Sequence, residues 1–254
     1  MRRDPGLPHI HMLPGFDGTG LLFRPLTEAF GYRCRTTSLC YEDELTLEDH
    51  LASVSAQLPP RNVILLAESF STPIALHLMA RQPARFRAAI LVVGFARNPF
   101  GNWLGRWVAD SFLGDNALET LLLNRCCDRD DVPPRVCELV REAQQWVSAA
   151  MVRARVHLVA GLDNPPDLSR IAAPVLYIRA KRDKLVSARL REELFEGLPQ
   201  IALKAVDGPH LVLQTHPRAC ADAILNFLHW DEAGAAEPAP GGRQGGAALQ
   251  LRPR

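Results

Sequence analysis

The sequence has no excess of charge of either sign, and this limits the kinds of partner that the protein can bind. Its 254 residues include 29 Lys and Arg against 28 Asp and Glu, which gives a formal net charge of +1. A nucleic-acid-binding protein presents a concentrated basic surface, because that surface has to meet a phosphate backbone. The charge balance therefore argues against a nucleic-acid partner and favours a substrate that is neutral or modestly charged.

The sequence also lacks the spacings and runs that mark zinc sites, secretion signals and membrane spans. Its six cysteines include the adjacent pair Cys126-Cys127 but no C-x-x-C pair followed by histidines. Reduced thiols in a cytosolic protein are the simpler interpretation. The apolar run at residues 7–13 is short, whereas a membrane span needs about 20 apolar residues. We therefore predict no metal or other cofactor, no membrane span and a cytoplasmic location.

Short apolar runs that alternate with helical patterns predict an α/β fold, with a mostly parallel sheet covered by helices on both faces. Hydrophobic residues make up 47% of the chain, enough to form a buried core. The continuous apolar run at residues 63–67 is typical of a central strand buried on both faces. Strands are predicted at residues 7–13, 32–40, 63–67, 88–93, 175–180 and 201–206, and helices at 45–58, after Ser69, at 187–198 and from Pro217.

A long interruption separates the two halves of this pattern. Residues 97–166 are too many for an ordinary connection between a strand and a helix, and they contain helical stretches. We interpret them as a helical cap, inserted in a core domain formed by residues 1–96 and 167–230. Residues 231–254 are rich in Ala, Gly and Pro and are predicted to form a disordered tail.

Three of the four tryptophans lie in the predicted cap, at Trp103, Trp107 and Trp146. They could line an apolar substrate pocket that faces the core domain. Alternatively, they could fill only the small core of the cap itself.

Ser69 stands where a buried strand turns into a helix, a position that suits a nucleophile. To act as a nucleophile, a serine needs a base within hydrogen-bond reach of its hydroxyl. It also needs to stand outside the hydrogen-bonded part of the strand. A sharp turn lifts the side chain above the sheet and points the backbone N–H of Phe70 toward the reacting oxygen. Ala67 and Ser71 are small enough for such a turn. The alternative is a serine that only caps the N-terminus of the helix.

The segment Ala67-Glu68-Ser69-Phe70-Ser71 resembles the nucleophile elbow of the α/β-hydrolase family, whose usual form is G-x-S-x-G. The resemblance identifies Ser69 as the catalytic nucleophile. In this sequence Ala67 and Ser71 replace the two glycines of the motif.

A glycine-rich turn after the first strand extends the resemblance. The segment from Leu13 to Gly20 is similar to the family's H-G-x-x-G loop, with Pro14 in place of the histidine. The resemblance implies that the backbone N–H groups of Phe16 and Phe70 form the oxyanion hole. A phosphate-binding loop is the alternative, but the sequence contains neither G-x-G-x-x-G nor G-K-[ST].

The acid and base of the family are expected after two later strands. Asp183 follows the strand after the cap, and His210 follows the final strand, which reproduces the family order Ser, Asp, His. The resemblance implies that His210 accepts the proton of Ser69 while Asp183 orients the imidazole. Asp183 could instead be a solvated acid among basic neighbours, and Asp207 is a rival acid in an Asp-Gly turn.

The resemblance covers about residues 7–230 and implies a serine hydrolase that cleaves esters through an acyl-enzyme. The sequence is similar to small bacterial carboxylesterases, including those that cleave the methyl ester of a pimeloyl chain on its acyl carrier protein. Arginines of the cap could meet such an acidic carrier or could form only a solvated face. These arginines are Arg97, Arg106, Arg125, Arg153 and Arg155.

Two alternatives remain open at this point. The same triad could serve a thioesterase or an acyltransferase. The protein could also be a ligand-binding member of the fold that has lost catalysis, since fold alone does not prove activity.

Overall fold

The computed structural model describes residues 6–99 and 116–234, and its centre is a sheet of six parallel strands. In chain order the strands are β1 (His9–Leu13), β2 (Arg35–Ser38), β3 (Val63–Glu68), β4 (Phe86–Val92), β5 (Val175–Arg182) and β6 (Ile201–Pro209). Their spatial order is β2-β1-β3-β4-β5-β6. Because all the strands run parallel, their carboxyl ends lie along one edge, where binding sites of α/β sheets form.

Helices follow most of the strands. Within the described ranges they are α1 (Arg24–Phe30), α2 (Leu47–Gln57), α3 (Thr72–Arg81), α4 (Ala117–Glu119), α5 (Pro134–Gln144), α6 (Ala149–Ala160), α7 (Ala188–Gly197), α8 (Val212–Thr215) and α9 (Pro217–Gly234). A π-helical stretch at Thr120–Arg125 continues α4, and 3₁₀ turns occur at Leu21–Phe23, Ser69–Ser71, Pro83–Arg85, Arg129–Asp131 and Leu168–Arg170. None of the helices in these ranges has the length and apolar content to cross a membrane.

Side chains of β3 alternate between two hydrophobic cores. Ile64 and Leu66 belong to the core that contains residues of α1 and α9, whereas Leu65 and Ala67 belong to the core that contains residues of α2 and α3. Successive side chains of a strand point to opposite faces of its sheet. The continuous apolar run of β3 is therefore explained by burial on both faces.

The described part of the chain between β4 and β5 is largely helical. Leu118, Val140 and Val156 from α4, α5 and α6 are fully buried and belong to the same core as the residues of α2 and α3. Residues 100–115, within the predicted cap, lie outside the described residues.

The α/β fold predicted from the sequence is confirmed, and each predicted strand corresponds to one of the six. β2 is shorter than predicted, because most of its side chains are exposed at the edge of the sheet and give no apolar signal. The helix α1 was not predicted.

The helix α9 continues to Gly234, beyond residue 231, where the tail is predicted to begin. The buried residues Ile224 and Phe227 anchor this helix on the core. The remaining residues of the predicted tail, 235–254, lie outside the described residues.

Candidate active site

Ser69, His210 and Asp183 form a continuous chain of hydrogen bonds. The Oγ of Ser69 lies 2.8 Å from Nε2 of His210, and Nδ1 of His210 lies 3.0 Å from Oδ1 of Asp183. Ser69 is 3% exposed and His210 is 2% exposed, so these bonds are shielded from bulk water. When Nδ1 carries the proton, the imidazole donates to Asp183 and accepts from the Ser69 hydroxyl.

The topology of the sheet brings these three residues together. Ser69 directly follows β3, Asp183 directly follows β5 and His210 directly follows β6. β5 and β6 are neighbours, and only β4 separates β5 from β3. Since parallel strands share a carboxyl edge, residues distant in sequence meet at this edge.

The backbone of Ser69 has an unusual conformation, with a φ of +47°. Positive φ is uncommon for a residue with a side chain, and strain of this kind is found at functional sites. The residue begins the 3₁₀ turn that leads into α3, so its backbone lies outside the hydrogen-bond ladder of β3. Ser71 has a φ of −80°, which explains why this turn does not need the glycine of the usual motif.

The side chain of Ser71 links the turn after β3 to the loop after β1. Its Oγ donates a hydrogen bond to the carbonyl oxygen of Pro14. The Oγ of Ser71 also lies 2.6 Å from the hydroxyl oxygen of Tyr41. Because the Ser71 proton is already donated to Pro14, Tyr41 is the donor in this second pair. No local sequence pattern predicts this contact, because Tyr41 lies in a loop far from either motif.

The glycine-rich loop after β1 packs directly against the turn that holds Ser69. The ring centroids of Phe16 and Phe70 are 5.4 Å apart, and both residues are buried. Oδ2 of Asp17 accepts hydrogen bonds from the backbone N–H groups of Thr19 and Gly20, at 3.0 and 3.1 Å, which fixes the loop after Phe16. Phe16 and Phe70 are thus neighbours, and the role of their backbone N–H groups in an oxyanion hole stays a prediction.

Asp183 is held by hydrogen bonds that favour its ionised form. Oδ1 accepts from the backbone N–H groups of Leu185 and Val186, at 2.8 and 3.1 Å, as well as from His210. Burial is the largest influence and by itself raises the pKa of Asp183, but His210 and the two backbone donors together outweigh it. The net effect is a lowered pKa.

The opposite balance holds for His210. Burial is again the largest single influence and lowers the pKa of the imidazole. The charge of Asp183, its hydrogen bond and the charge of Glu68 together raise the pKa by more, so it lies above the ordinary value of 6.5. This pair therefore stabilises an imidazolium next to the Ser69 hydroxyl.

The rival acid Asp207 has a different partner. Its side chain is exposed and forms an ion pair with Arg182, which also pairs with Asp131 at 2.9 Å. His210 instead bonds to Asp183, so the alternative that Asp183 is merely a solvated acid does not hold.

Two buried carboxyl groups next to the site were not singled out by the sequence. Glu68 and Asp17 are almost fully buried, and each has one oxygen without a hydrogen-bond partner among the described residues. Gln214 donates to the other oxygen of Glu68 at 3.0 Å. Burial, with a contribution from the charge of Asp17, raises the pKa of Glu68 to about 7.

The predicted pocket residues are only partly described. Trp103 and Trp107 lie outside the described residues. Trp146 lies in the turn after α5 and is 75% exposed, which gives no support to a role in lining a pocket.

The cap arginines do not form one exposed surface. Arg155 is buried, which contradicts both predicted roles, the carrier contact and the solvated face. Arg97 forms an ion pair with Glu193 at 3.4 Å. Arg106 and the side chain of Arg125 lie outside what the structure describes, and Arg153 is partly exposed.

The six cysteines are free thiols. Cys127 is buried, and burial raises the pKa of its thiol. No group of three or more metal-ligating side chains occurs in residues 6–99 and 116–234.

Comparison with known proteins identifies the family to which this chain belongs. The model of the alpha/beta hydrolase family matches residues 12–223, so the chain belongs to this family. A comparison with curated protein sequences gives no match.

Solved structures of several hydrolases have a similar fold. The enol-lactonase from Burkholderia xenovorans LB400 has a TM-score of 0.74 and 17% identity, with 90% of this chain and 94% of that chain covered. A thermophilic esterase from Thermogutta terrifontis has a TM-score of 0.69 and 19% identity, covering 89% and 90%. A haloalkane dehalogenase variant from Bradyrhizobium elkanii has a TM-score of 0.70 and 15% identity, covering 91% and 92%. At these identities the likeness establishes the fold alone.

Proposed function

We propose that the protein is a serine carboxylic-ester hydrolase that cleaves a small or acyl-chain ester through an acyl-enzyme. The observation that carries this proposal is the chain of hydrogen bonds from Ser69 through His210 to Asp183, at 2.8 and 3.0 Å. These distances suit transfer of a proton from a hydroxyl to an imidazole. The positive φ of Ser69 supports the same role, because it directs the hydroxyl away from the sheet.

The first half of the proposed reaction forms the acyl-enzyme. Nε2 of His210 takes the proton of Ser69 while the serine oxygen attacks the carbonyl carbon of the ester. The electron pair of the C=O bond moves onto its oxygen, which the backbone N–H groups of Phe16 and Phe70 stabilise. His210 then gives its proton to the departing alcohol oxygen as the C–O bond breaks, and Asp183 stabilises the intermediate imidazolium.

The second half releases the acid. His210 takes a proton from a water molecule, whose oxygen attacks the carbonyl carbon of the acyl-serine. The tetrahedral intermediate collapses, Ser69 recovers its proton from His210 and the carboxylic acid leaves.

The identity of the nucleophile favours ester chemistry within the family. Dehalogenases and epoxide hydrolases of this family carry an aspartate at the position of Ser69. Two of the similar structures are named for ester cleavage, the enol-lactonase and the thermophilic esterase. Both observations support acyl transfer to water.

A substrate carried by an acyl carrier protein is a narrower possibility. It has less support than the ester chemistry, because Arg155 is buried and Arg97 is already paired with Glu193. Offering one acyl ester free and on its carrier protein tests it, since a carrier-specific enzyme has a much higher kcat/KM for the carrier-bound ester.

Fluorophosphonate labelling tests the assignment of the nucleophile. Such a probe forms a covalent bond with an activated serine, so wild type should label and Ser69→Ala should not. Ser38→Ala changes an exposed serine and serves as the matched control, which should label like wild type. Equal labelling of wild type and Ser69→Ala would refute the assignment. A wild type that does not label would favour a ligand-binding member of the fold.

A substrate panel then separates the related chemistries. Parallel assays with an ester, a thioester and an added alcohol acceptor distinguish an esterase from a thioesterase or an acyltransferase. The proposal expects the highest kcat/KM on the ester with water as acceptor.

A further inference from the structure

Arg155 is a buried cation in the cap. It comes from α6, is 2% exposed and is the largest of the fully buried side chains. Desolvation is costly for a guanidinium, and burial accordingly lowers its pKa. A charged side chain in such a position is retained only where specific partners compensate for the loss of water.

The hydrogen-bond partners of Arg155 are backbone carbonyls of the glycine-rich loop and of the segment beside it. Nη1 donates to the carbonyl oxygens of Phe16 and Asp17, both at 2.9 Å. Nη2 donates to the carbonyl oxygen of Tyr41 at 3.4 Å, and the guanidinium carbon lies 5.9 Å from the centroid of the Tyr41 ring. Bonds from a charged donor are stronger than those between neutral groups.

These contacts restrain the residue whose N–H is assigned to the oxyanion hole. The carbonyls of Phe16 and Asp17 belong to the two peptide units that follow the N–H of Phe16. When one guanidinium holds both carbonyls, the loop cannot rotate without breaking two charge-assisted bonds. The orientation of the Phe16 backbone is therefore coupled to the position of Arg155.

The loop is shaped to accept this side chain. Gly18 has a φ of +67°, and a Cβ placed on it would collide with the guanidinium of Arg155. The glycine thus serves both the turn and the close approach of the arginine. The helix that carries Arg155 begins at a defined point, because the Ser148 side chain caps it by accepting from the N–H of Met151 at 3.2 Å.

We propose that Arg155 is a positioning residue, which holds the oxyanion loop in its active conformation and couples that loop to the cap. This inference rests on the proposed ester hydrolysis. A residue that aims an oxyanion donor acts on the transition state more than on the bound substrate. Its loss should therefore lower kcat and leave KM nearly unchanged.

Steady-state kinetics of Arg155→Met and Arg155→Lys test the proposal. Methionine removes the charge but fills much of the space. Lysine keeps the charge, but its compact ammonium group cannot reach the several carbonyl oxygens that the planar guanidinium contacts. Both should lose about tenfold or more in kcat with KM within about threefold, a smaller loss than deletion of an oxyanion donor causes. Arg141→Met is the matched control, because Arg141 is a half-exposed cap arginine that pairs with Glu119.

Chemical rescue adds a second measurement. Guanidinium chloride at about 10–50 mM should restore part of the kcat of Arg155→Ala, because the free ion can occupy the vacated site between the carbonyls. It should have no such effect on Arg141→Ala.

The outcomes separate this inference from the proposed function. A folded Arg155→Lys variant with kcat within about twofold of Arg141→Met would overturn the positioning role. If Arg155→Met does not fold, as shown by circular dichroism, the lysine variant and the rescue experiment decide the question. A wild type that neither hydrolyses esters nor labels with the probe would instead overturn the proposed function itself.

Discussion

The hydroxyl of Tyr41 lies 2.6 Å from the hydroxyl of Ser71, which donates in turn to the carbonyl oxygen of Pro14. Both side chains are buried. The usual motif of the family has a glycine at the position of Ser71, so this chain uses a side chain where others have none. The result is a direct link between the turn that carries Ser69 and the loop that carries Phe16.

Replacing Ser71 by the residue of the usual motif should therefore destabilise this protein. Ser71→Gly removes two buried hydrogen bonds and leaves the Tyr41 hydroxyl without its acceptor, which costs about 1–3 kcal/mol of unfolding free energy. Tyr41→Phe removes only one bond and should cost less, about 0.5–1.5 kcal/mol. Urea unfolding of the two single variants and the double variant gives the interaction free energy between Tyr41 and Ser71. A Ser71→Gly variant as stable as wild type would contradict this account of the link.

The activity should fall at acidic pH as His210 becomes protonated, because the proposed mechanism needs a neutral imidazole. Burial lowers the pKa of His210, but the charge and hydrogen bond of Asp183, with the charge of Glu68, raise it by more, so the pKa lies above the ordinary 6.5. The acidic limb of kcat/KM should thus have a midpoint above 6.5. A midpoint clearly below this value would contradict the claim that the nearby carboxylates raise the pKa of His210 by more than burial lowers it.

Asp183→Asn should lower kcat by about four orders of magnitude, the loss known when the acid of such a triad is replaced. It should also move the acidic limb to lower pH, because the carboxylate that raises the pKa of His210 is absent. Asp207→Asn is the matched control, since Asp207 is exposed and pairs with Arg182. A large loss in the Asp207 variant with a small loss in the Asp183 variant would reverse the assignment.

Glu68→Gln should stabilise the protein at neutral and higher pH. Burial, with the charge of Asp17, raises the folded-state pKa of Glu68 from 4.5 to about 7. As the pH rises, Glu68 ionises in the unfolded chain before it ionises in the folded protein. Its ionisation therefore lowers the free energy of unfolding, by an amount that grows between about pH 4.5 and 7 and stays constant at higher pH. A shift of this size corresponds to roughly 3–4 kcal/mol at about 1.4 kcal/mol per pKa unit.

Urea unfolding of Glu68→Gln at pH 4.5 and pH 8 measures this effect, with the exposed Glu28→Gln as control. The gain in unfolding free energy should be larger at pH 8. A gain that is equal at the two values would mean that Glu68 has an ordinary pKa.

Removal of residues 235–254 should leave kcat/KM and the melting temperature nearly unchanged. This segment contains only two bulky apolar residues, Leu249 and Leu251, and so has little apolar surface to bury. Thermal unfolding and ester hydrolysis of the shortened chain check this expectation. A fall of several degrees in melting temperature would indicate that the segment docks on the domain.

The sheet was predicted from local signals in the sequence, and the three central residues of the candidate site were predicted from the resemblance to the α/β-hydrolase family. The buried strands are continuous apolar runs, and Ser69, Asp183 and His210 each directly follow a strand. In a parallel sheet these positions share one edge, and the order of β3, β4, β5 and β6 brings the three residues together there.

The rest of the site depends on contacts that have no local signal. Arg155 lies in a helix with one other arginine, the partly exposed Arg153, so its sequence context resembles a solvated face. Its partner Phe16 is 139 positions away. The pairing of Tyr41 with Ser71 and the burial of Glu68 likewise come from packing between distant segments. Trp146, in contrast, is an aromatic residue of the kind that lines pockets, but it lies in an exposed turn.

The most direct test of the central claim is to trap the acyl-enzyme and find the residue that carries it. Rapid mixing with an excess of an activated ester should release close to one equivalent of alcohol per chain in a burst, followed by slower turnover. Intact and peptide mass spectrometry of the quenched protein should place the acyl group on Ser69. Turnover in Ser69→Ala at the wild-type rate, or an acyl group on another residue, would contradict the account.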